Sequence, residues 1–283
     1  MSAVLCCADP LAPGRVDPHF AAQAAAVREA GGTVALIDHD ALLAGDAAGA
    51  VRRVPRDLGG AWYRGWMIPT ARYGELCAAL AARGVPMNVP VDDYRAAHEL
   101  PGWHGAFAGL TPESVWTPWR PREVPDPGTV ARLVAPLGGG PAVVKDYVKS
   151  RKYEWDEACY VPDLSDVAAA TRVVARMVEL QGDDLAGGIV VRRFERLARA
   201  EARVWWLDGA AVLTTAHPDT PAVAVAPDLT GVAAAVARLG RRFVTTDLAL
   251  RDDGAWRVVE VGDAQVSDLP SGVDPAPLLG RLP

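Results

Sequence analysis

The chain has 283 residues, half of them hydrophobic, with a formal net charge of −6 and a pI near 5.4. That length and apolar content suffice for two packed units or one large composite domain, and the acidic balance argues against a protein that holds nucleic acid or an anionic membrane by charge. No apolar run approaches the ~20 residues of a membrane span, the first residues lack the basic stretch of a secretory signal, and Cys6, Cys7, Cys77 and Cys159 follow no zinc-site spacing, so reduced thiols in a cytoplasmic protein are expected.

Residues 3–8 form an apolar run that reads as a buried strand; residues 19–30, rich in alanine and closed by Gly31 and Gly32, read as a helix; and residues 33–38 read as a second strand. This order predicts a parallel α/β unit. The loop over 10–14 lacks the glycine spacing of a dinucleotide site. Residues 61–67 (AWYRGWM) predict a third strand, with Arg64 among Trp62, Tyr63 and Trp66. An arginine in that setting can bind an anionic substrate group or stack as a structural residue, and the sequence leaves both open. A helix over 71–83, a short fourth strand over 86–89 and a helix over 92–100 follow. His98 and His104 are candidates for a substrate wall, although lone histidines are more often structural. The proline- and tryptophan-rich stretch 116–127 marks a boundary between an N-terminal unit, 1–118, and a second unit, 119–283.

A helix over 128–137 and three glycines lead into residues 142–163, AVVKDYVKSRKYEWDEACYVPD. This stretch holds every lysine of the chain, Lys145, Lys149 and Lys152, while all other strongly basic side chains are arginine. Lysine kept in one place predicts a task for a compact ammonium, such as meeting a phosphate oxygen from a strand or tight loop. Residues 150–157 read as a loop or hairpin tip, 158–161 as the returning strand, and 165–181 as an amphipathic helix capped by Ser165. A strand over 189–194 precedes a hairpin formed by 201–207 and 210–215 about Asp208 and Gly209; a helix over 229–239 precedes a second hairpin formed by 242–250 and 255–261.

Three groups of residues carry candidate chemistry. The first is Lys145 with Lys149, Arg151 and Lys152. The second is Glu201 with Arg203, two apart on one strand. The third is Asp247 and Glu260, with Asp263 three residues on. If residues 252–254 turn the last hairpin, Asp247 and Glu260 lie level across it. Like charges side by side between apolar flanks are unfavourable unless a cation binds them, and oxygen ligands with open positions suit magnesium on nucleotide phosphates. The competing reading is that both carboxylates simply face solvent.

From residue 142 onward the order of these parts resembles the ATP-grasp superfamily: a lysine on the first lid strand (Lys145 in AVVKDY), a loop, a strand into a hinge (VVRRFERL), an E-x-R element (Glu201, Arg203), then an aspartate, a turn and an E-x-N-like element (VTTDLALRDDGAWRVVEVGD). The resemblance implies an α/β fold. An N-terminal α/β pre-ATP-grasp domain would precede an ATP-grasp fold with a lid subdomain, about 140–188, and an antiparallel-sheet core, about 189–283. It implies an ATP-dependent carboxylate–amine ligase that forms an amide or peptide bond through an acyl phosphate, with ATP and magnesium as cofactors and a small carboxylate and an amine, amino acids or peptides among them, as substrates. A small-molecule kinase on the same fold and a non-catalytic nucleotide-binding protein are the alternatives.

By the same resemblance, Lys145 would contact nucleotide phosphates, with Lys149 and Lys152 joining it catalytically on lid closure. The hinge residues Arg193, Phe194 and Glu195 would meet adenine through their backbone, and Glu201 would bind ribose. Arg203 would stabilise the transferred phosphoryl group, Arg64 and Arg151 would bind substrate, and Asp247, Glu260 and Asp263 would hold magnesium. Two departures stand out: Gly262 replaces the family's asparagine, with Asp263 or Gln265 expected in its stead, and the lid loop is charged rather than glycine-rich.

Overall fold

The computed structural model describes residues 3–221 and 223–282, with Arg199 described by its backbone alone. β1 (Ala3–Cys7) is apolar and buried along its whole length, as the central strand of a parallel sheet should be, and lies between β2 (Thr33–Ile37) and β3 (Ala61–Arg64). The helix Ala21–Glu29, entered through a 3-10 turn at Pro18–Phe20, carries the chain from β1 to β2. The fourth strand expected over 86–89 reduces to one parallel bridge between Ala61 and Met87. Pro86 and Pro90 flank that bridge and supply no ladder donors.

The second sheet is antiparallel. Its strands β4 (Ser114–Pro118), β5 (Ala142–Asp146), β6 (Tyr160–Val161) and β7 (Gly188–Arg193) run in the order β4-β7-β5-β6. β4 falls in the stretch that the sequence suggests is only a boundary; it sits at the sheet edge, where Pro118 removes no inner ladder bond. The helices Pro127–Val134 and Val167–Gln181 bury Val130, Val134, Val174, Met177 and Val178 against Ala142, Val144, Ile189 and Val191. Asp166, rather than Ser165, caps the longer helix by accepting from the Ala169 amide at 2.9 Å. Between β5 and β6 the chain makes a 3-10 turn at Lys152–Glu154 and a π-helical turn at Trp155–Cys159, where the sequence suggests a loop or hairpin tip.

β8 (Leu197–Leu207), β9 (Ala210–Ala216), β10 (Phe243–Arg251) and β11 (Trp256–Asp263) form the third sheet, antiparallel in the order β11-β10-β8-β9. Asp208 (φ 48°) and Gly209 (φ 82°) make the tight β8–β9 turn, where both central residues must be left-handed. Alternation splits this sheet between two cores. Val204, Trp206, Val244 and Leu248 pack with the helix Thr230–Leu239 and with Trp103 and Phe107. On the opposite face Trp205 and Phe243 complete the core of the N-terminal sheet beside Trp62 and Leu5. No described helix is long and apolar enough to cross a membrane.

Candidate active site

Alternation along β8 puts Glu201 and Arg203 on the same face as Trp205. Trp205 is buried in the N-terminal core, so the two charged residues stand at its rim. Across the sheet Arg203 pairs with Asp247, and Asp247 pairs with Glu260, so the three lie in one row over three strands. The Arg203 fork grips Asp247: Nε donates to Oδ1 and Nη2 to Oδ2, both at 2.8 Å. Burial alone would raise the Asp247 carboxyl, but Arg203 and His217 outweigh it and hold the carboxyl below its ordinary value. Nη1 of Arg203 donates to the Asp268 carbonyl at 3.0 Å, so each guanidinium nitrogen makes a hydrogen bond. Glu260 is exposed, and its carboxylate makes no hydrogen bond among the described residues. The register slips between Asp247 and Leu248, leaving Val259 unpaired. Arg192 of β7 donates to the Val259 carbonyl at 2.5 Å and to Thr111 Oγ1, tying the second sheet to the residue next to Glu260.

His217, which no sequence motif singles out, joins this row. Its Nε2 lies 3.5 Å from Asp247 Oδ2 and 3.1 Å from Arg203 Nη2, and its Nδ1 accepts from the Asp219 amide at 3.2 Å. Burial would lower the imidazole, yet its contact with Asp247 outweighs this and raises it. Glu201 is pushed up by burial, against the pull of His217 and with help from Asp247 and Glu260. Glu201, His217 and Asp247 offer ligand atoms that all lie within 4.8 Å of one another. Counting back from the Asp208–Gly209 turn would almost find this histidine. The register shift at Trp205/Trp206 moves the pairing by one residue and brings the His217 amide, in place of Ala216, to the Glu201 carbonyl at 2.9 Å.

The lysines divide. Lys145 is half-buried on β5, and Nζ donates to the Val148 carbonyl at 3.0 Å. Burial lowers its ammonium, and Glu260 is the chief charge opposing that shift. Buried Asp146 pins the turn that follows by accepting from the amides of Val148 (2.7 Å) and Lys149 (2.5 Å). Lys149 is exposed, with an unpartnered ammonium among the described residues. Lys152 reaches across to Asp219 at 2.8 Å, two residues past His217. Arg151 pairs with Glu154 at 3.4 Å.

Several expected site residues have structural roles. Arg64 is fully buried; it donates to Gln23 Oε1 and to the carbonyls of Ala264, Gln265 and Ser267 at 2.8–3.0 Å and lies 5.3 Å from the Trp205 ring. It clamps the segment after β11 to the N-terminal sheet and offers no surface to a substrate. Asp263 pairs with Val244, on the face opposite Glu260, and is buried. Burial pushes its carboxyl up to about 7, and Oδ2 has no partner. Gln265 is spent on the Tyr63 amide (2.9 Å) and the Tyr73 hydroxyl (3.0 Å). Neither residue replaces the missing asparagine. A Cβ on Gly262 would come within 3.0 Å of Thr245 Oγ1 and 3.1 Å of Ser267 Oγ, so two hydroxyls crowd that place. His98 is buried against Tyr94 and pushed down to about 4 by burial, then by Lys149 and Lys145. His104 is bonded to the Pro112 carbonyl at 3.3 Å.

In the hinge, the Arg193 and Phe194 amides are taken by the carbonyls of Glu113 and Pro141, and the Glu195 carboxylate is held bidentately by Arg257 at 2.9 Å. The Glu195 amide and the Phe194 carbonyl remain without partners among the described residues. Phe194 meets Tyr160 edge-on at 5.3 Å, and Tyr160 stacks on Trp155, so an aromatic group flanks the hinge. A cavity of about 520 Å³ lies over β4, and one of about 540 Å³, lined in part by Tyr160, lies beside the helix Val167–Gln181.

A family model for an ATP-grasp domain, the third family of its clade, matches residues 136–282, which include this entire row. The chain belongs to this ATP-grasp family. Solved structures similar to it extend over nearly the whole chain. A RimK domain ATP-grasp protein from Sphaerobacter thermophilus DSM 20745 has a TM-score of 0.61 at 18% identity, covering 99% of this chain and 98% of the other. The D-cycloserine synthetase DcsG has 0.64 at 17% identity, covering 98% of each. The D-alanine–D-alanine ligase of Bacillus anthracis, complexed with ATP, has 0.52 at 15% identity, covering 93% and 84%. At such identities the likeness establishes the fold. No match is found among curated proteins.

For an ATP-grasp protein the donor set can be tested against magnesium. Glu260 has unbonded carboxylate oxygens, and Oδ1 of Asp247, though bonded to Arg203 Nε, has a further lone pair. Hard oxygen donors on adjacent strands fit the ion, which keeps waters and phosphates for its other positions. Glu201 and His217 offer ligand atoms within 4.8 Å of Asp247, and of the two the imidazole is the less fitting donor.

Proposed function

We propose that this ATP-grasp protein is an ATP-dependent carboxylate–amine ligase that activates an amino-acid carboxylate as an acyl phosphate and transfers the acyl group to an amine. The observation that carries the proposal is the pairing, in one row, of Arg203-bound Asp247 with Glu260, whose carboxylate is unbonded and is the chief charge acting against burial of the Lys145 ammonium. Adjacent strands thus carry fixed charges of both signs in one row, which is what a phosphoryl group leaving ATP needs. Asp247 and Glu260 would hold magnesium, which when bound neutralises phosphate charge. Lys145 would meet phosphate oxygens, with Lys149 and Lys152 added from the loop. Arg203 cannot swing onto the phosphoryl group without leaving Asp247, so its role in this proposal is a fixed positive charge beside the reacting atoms. The Phe194 carbonyl and Glu195 amide would take the adenine edge, with Trp155 and Tyr160 beside it, and Glu201 would take the ribose. Ligase names among the similar structures, including an ATP-grasp ligase complexed with a precursor peptide, support an amino-acid or peptide substrate.

The test is ADP release with ATP, magnesium and a panel of amino acids, singly and in pairs. The ligase reading predicts ADP and phosphate together, with both rates rising when an amine acceptor is added. A phosphorylated product without free phosphate would instead mark a kinase, and tight ATP binding without turnover a non-catalytic protein.

A further inference from the structure

Resting on the ligase reading, we propose that His19 is the general base that deprotonates the attacking amine. It lies after β1, at the end of the parallel sheet where α/β folds open their crevices. The chain holds it in place from both sides. The Asp17 carboxylate accepts from the His19 amide at 2.9 Å and, through its other oxygen, from Trp66 Nε1 at 2.9 Å. The Trp66 ring lies 4.6 Å from the imidazole, centroid to centroid.

His19 Nε2 stands 2.7 Å from Asp268 Oδ1. A carboxylate can only accept, so Nε2 carries the proton and the neutral ring keeps its lone pair on Nδ1. Nδ1 has no partner among the described residues, and the residue is exposed. An imidazole oriented by a carboxylate through one nitrogen and open at the other is the arrangement of a general base. Its location ties it to the reaction: the Asp268 carbonyl accepts from Arg203 Nη1 at 3.0 Å, so the dyad borders the Arg203–Asp247–Glu260 row. Ser267, the residue before, bonds Thr245 Oγ1 beside Gly262 at 2.7 Å. An isolated surface ion pair would have no reason to share its acid's backbone with that row.

The chemistry balances with the groups present. The substrate ammonium gives one proton to Nδ1, exposing the nitrogen lone pair, and Asp268 provides the countercharge for the imidazolium. The amine attacks the carbonyl carbon of the acyl phosphate. A C–N bond forms, the C–O bond to the phosphoryl group breaks, and its electron pair leaves with phosphate, which takes the second amine proton. The imidazolium then loses its proton to solvent.

Hydroxylamine separates this role from a structural one, because it is already neutral near pH 7 and captures acyl phosphates without a base. Wild type, His19→Gln and His19→Asn are assayed with ATP, magnesium and a mixture of the proteinogenic amino acids, with and without hydroxylamine, reading hydroxamate and peptide product. In the variants, peptide formation should fall about 10²-fold or more, while hydroxamate formation should fall less than about threefold. Equal losses of both products, or unchanged peptide formation, would overturn the assignment of His19. Wild type that yields no hydroxamate would overturn the ligase reading itself.

Discussion

Glu260 and Asp263 are three residues apart on β11, yet their surroundings are opposites. Glu260 is exposed with an unbonded carboxylate, so Glu260→Gln removes one charge and no packing. Turnover in this variant should drop about 10²–10³-fold, with a melting curve close to wild type, because surface changes away from structural features stay within about 0.5 kcal/mol. Wild-type rates at limiting magnesium would remove Glu260 from the site. Asp263 is buried, and burial raises its carboxyl to about 7. A carboxyl that binds its proton more tightly in the folded state favours folding at low pH and loses that advantage as pH climbs from about 4 to about 7. Asp263→Asn should therefore gain stability relative to wild type over that interval, read as the difference between denaturation midpoints at several pH values. A constant difference would show that Asp263 does not titrate there. A spacing of three already sends two strand residues to opposite faces, so the separation of Asp263 from Asp247 and Glu260 was legible, although the family pattern points the other way. The burial of Arg64 was not legible, because the carbonyls it clamps lie some 200 residues away in the chain.

At the scale of elements, the lysine-bearing segment combines a fixed part and a loose part. Lys145 lies within β5 with its ammonium bonded, and buried Asp146 locks the turn after it. Lys149 and Lys152 are exposed, and the Lys152–Asp219 ion pair links this loop to the third sheet. A lysine-specific protease should cut at Lys149 and Lys152 and spare Lys145. An exposed ion pair contributes about 0.2–1 kcal/mol, so Asp219→Asn should speed cleavage at Lys152 by up to about fivefold. Magnesium and ATP together should slow cleavage in both proteins as the loop closes over the phosphates. Cleavage rates that ignore both the substitution and the nucleotide would show that this segment is not a nucleotide lid. The long helices and the two late hairpins were readable from periodicity and turn residues. β4 was not, because its partner β7 lies some 70 residues on and the proline- and tryptophan-rich stretch it runs into resembles a linker.

Across the whole molecule, the third sheet joins everything else. One face completes the N-terminal core through Trp205 and Phe243, and the other packs the helix Thr230–Leu239. Arg192 and the Lys152–Asp219 pair connect it to the second sheet. The ATP-grasp order of parts could be read from local motifs along the chain. His217 and the His19–Asp268 dyad could not, because a β-bulge moves the first into place and a contact spanning 249 residues assembles the second. Acyl-phosphate chemistry at the Asp247–Glu260 row, the proposal that would unite these features, is tested most directly by oxygen tracing. An amino-acid substrate labelled with 18O in its carboxylate is turned over with unlabelled ATP and an amine, and the released phosphate is weighed by mass spectrometry. The account predicts one 18O atom in each phosphate, transferred when the acyl C–O bond breaks. Phosphate free of label, formed at the same rate as ADP, would contradict it.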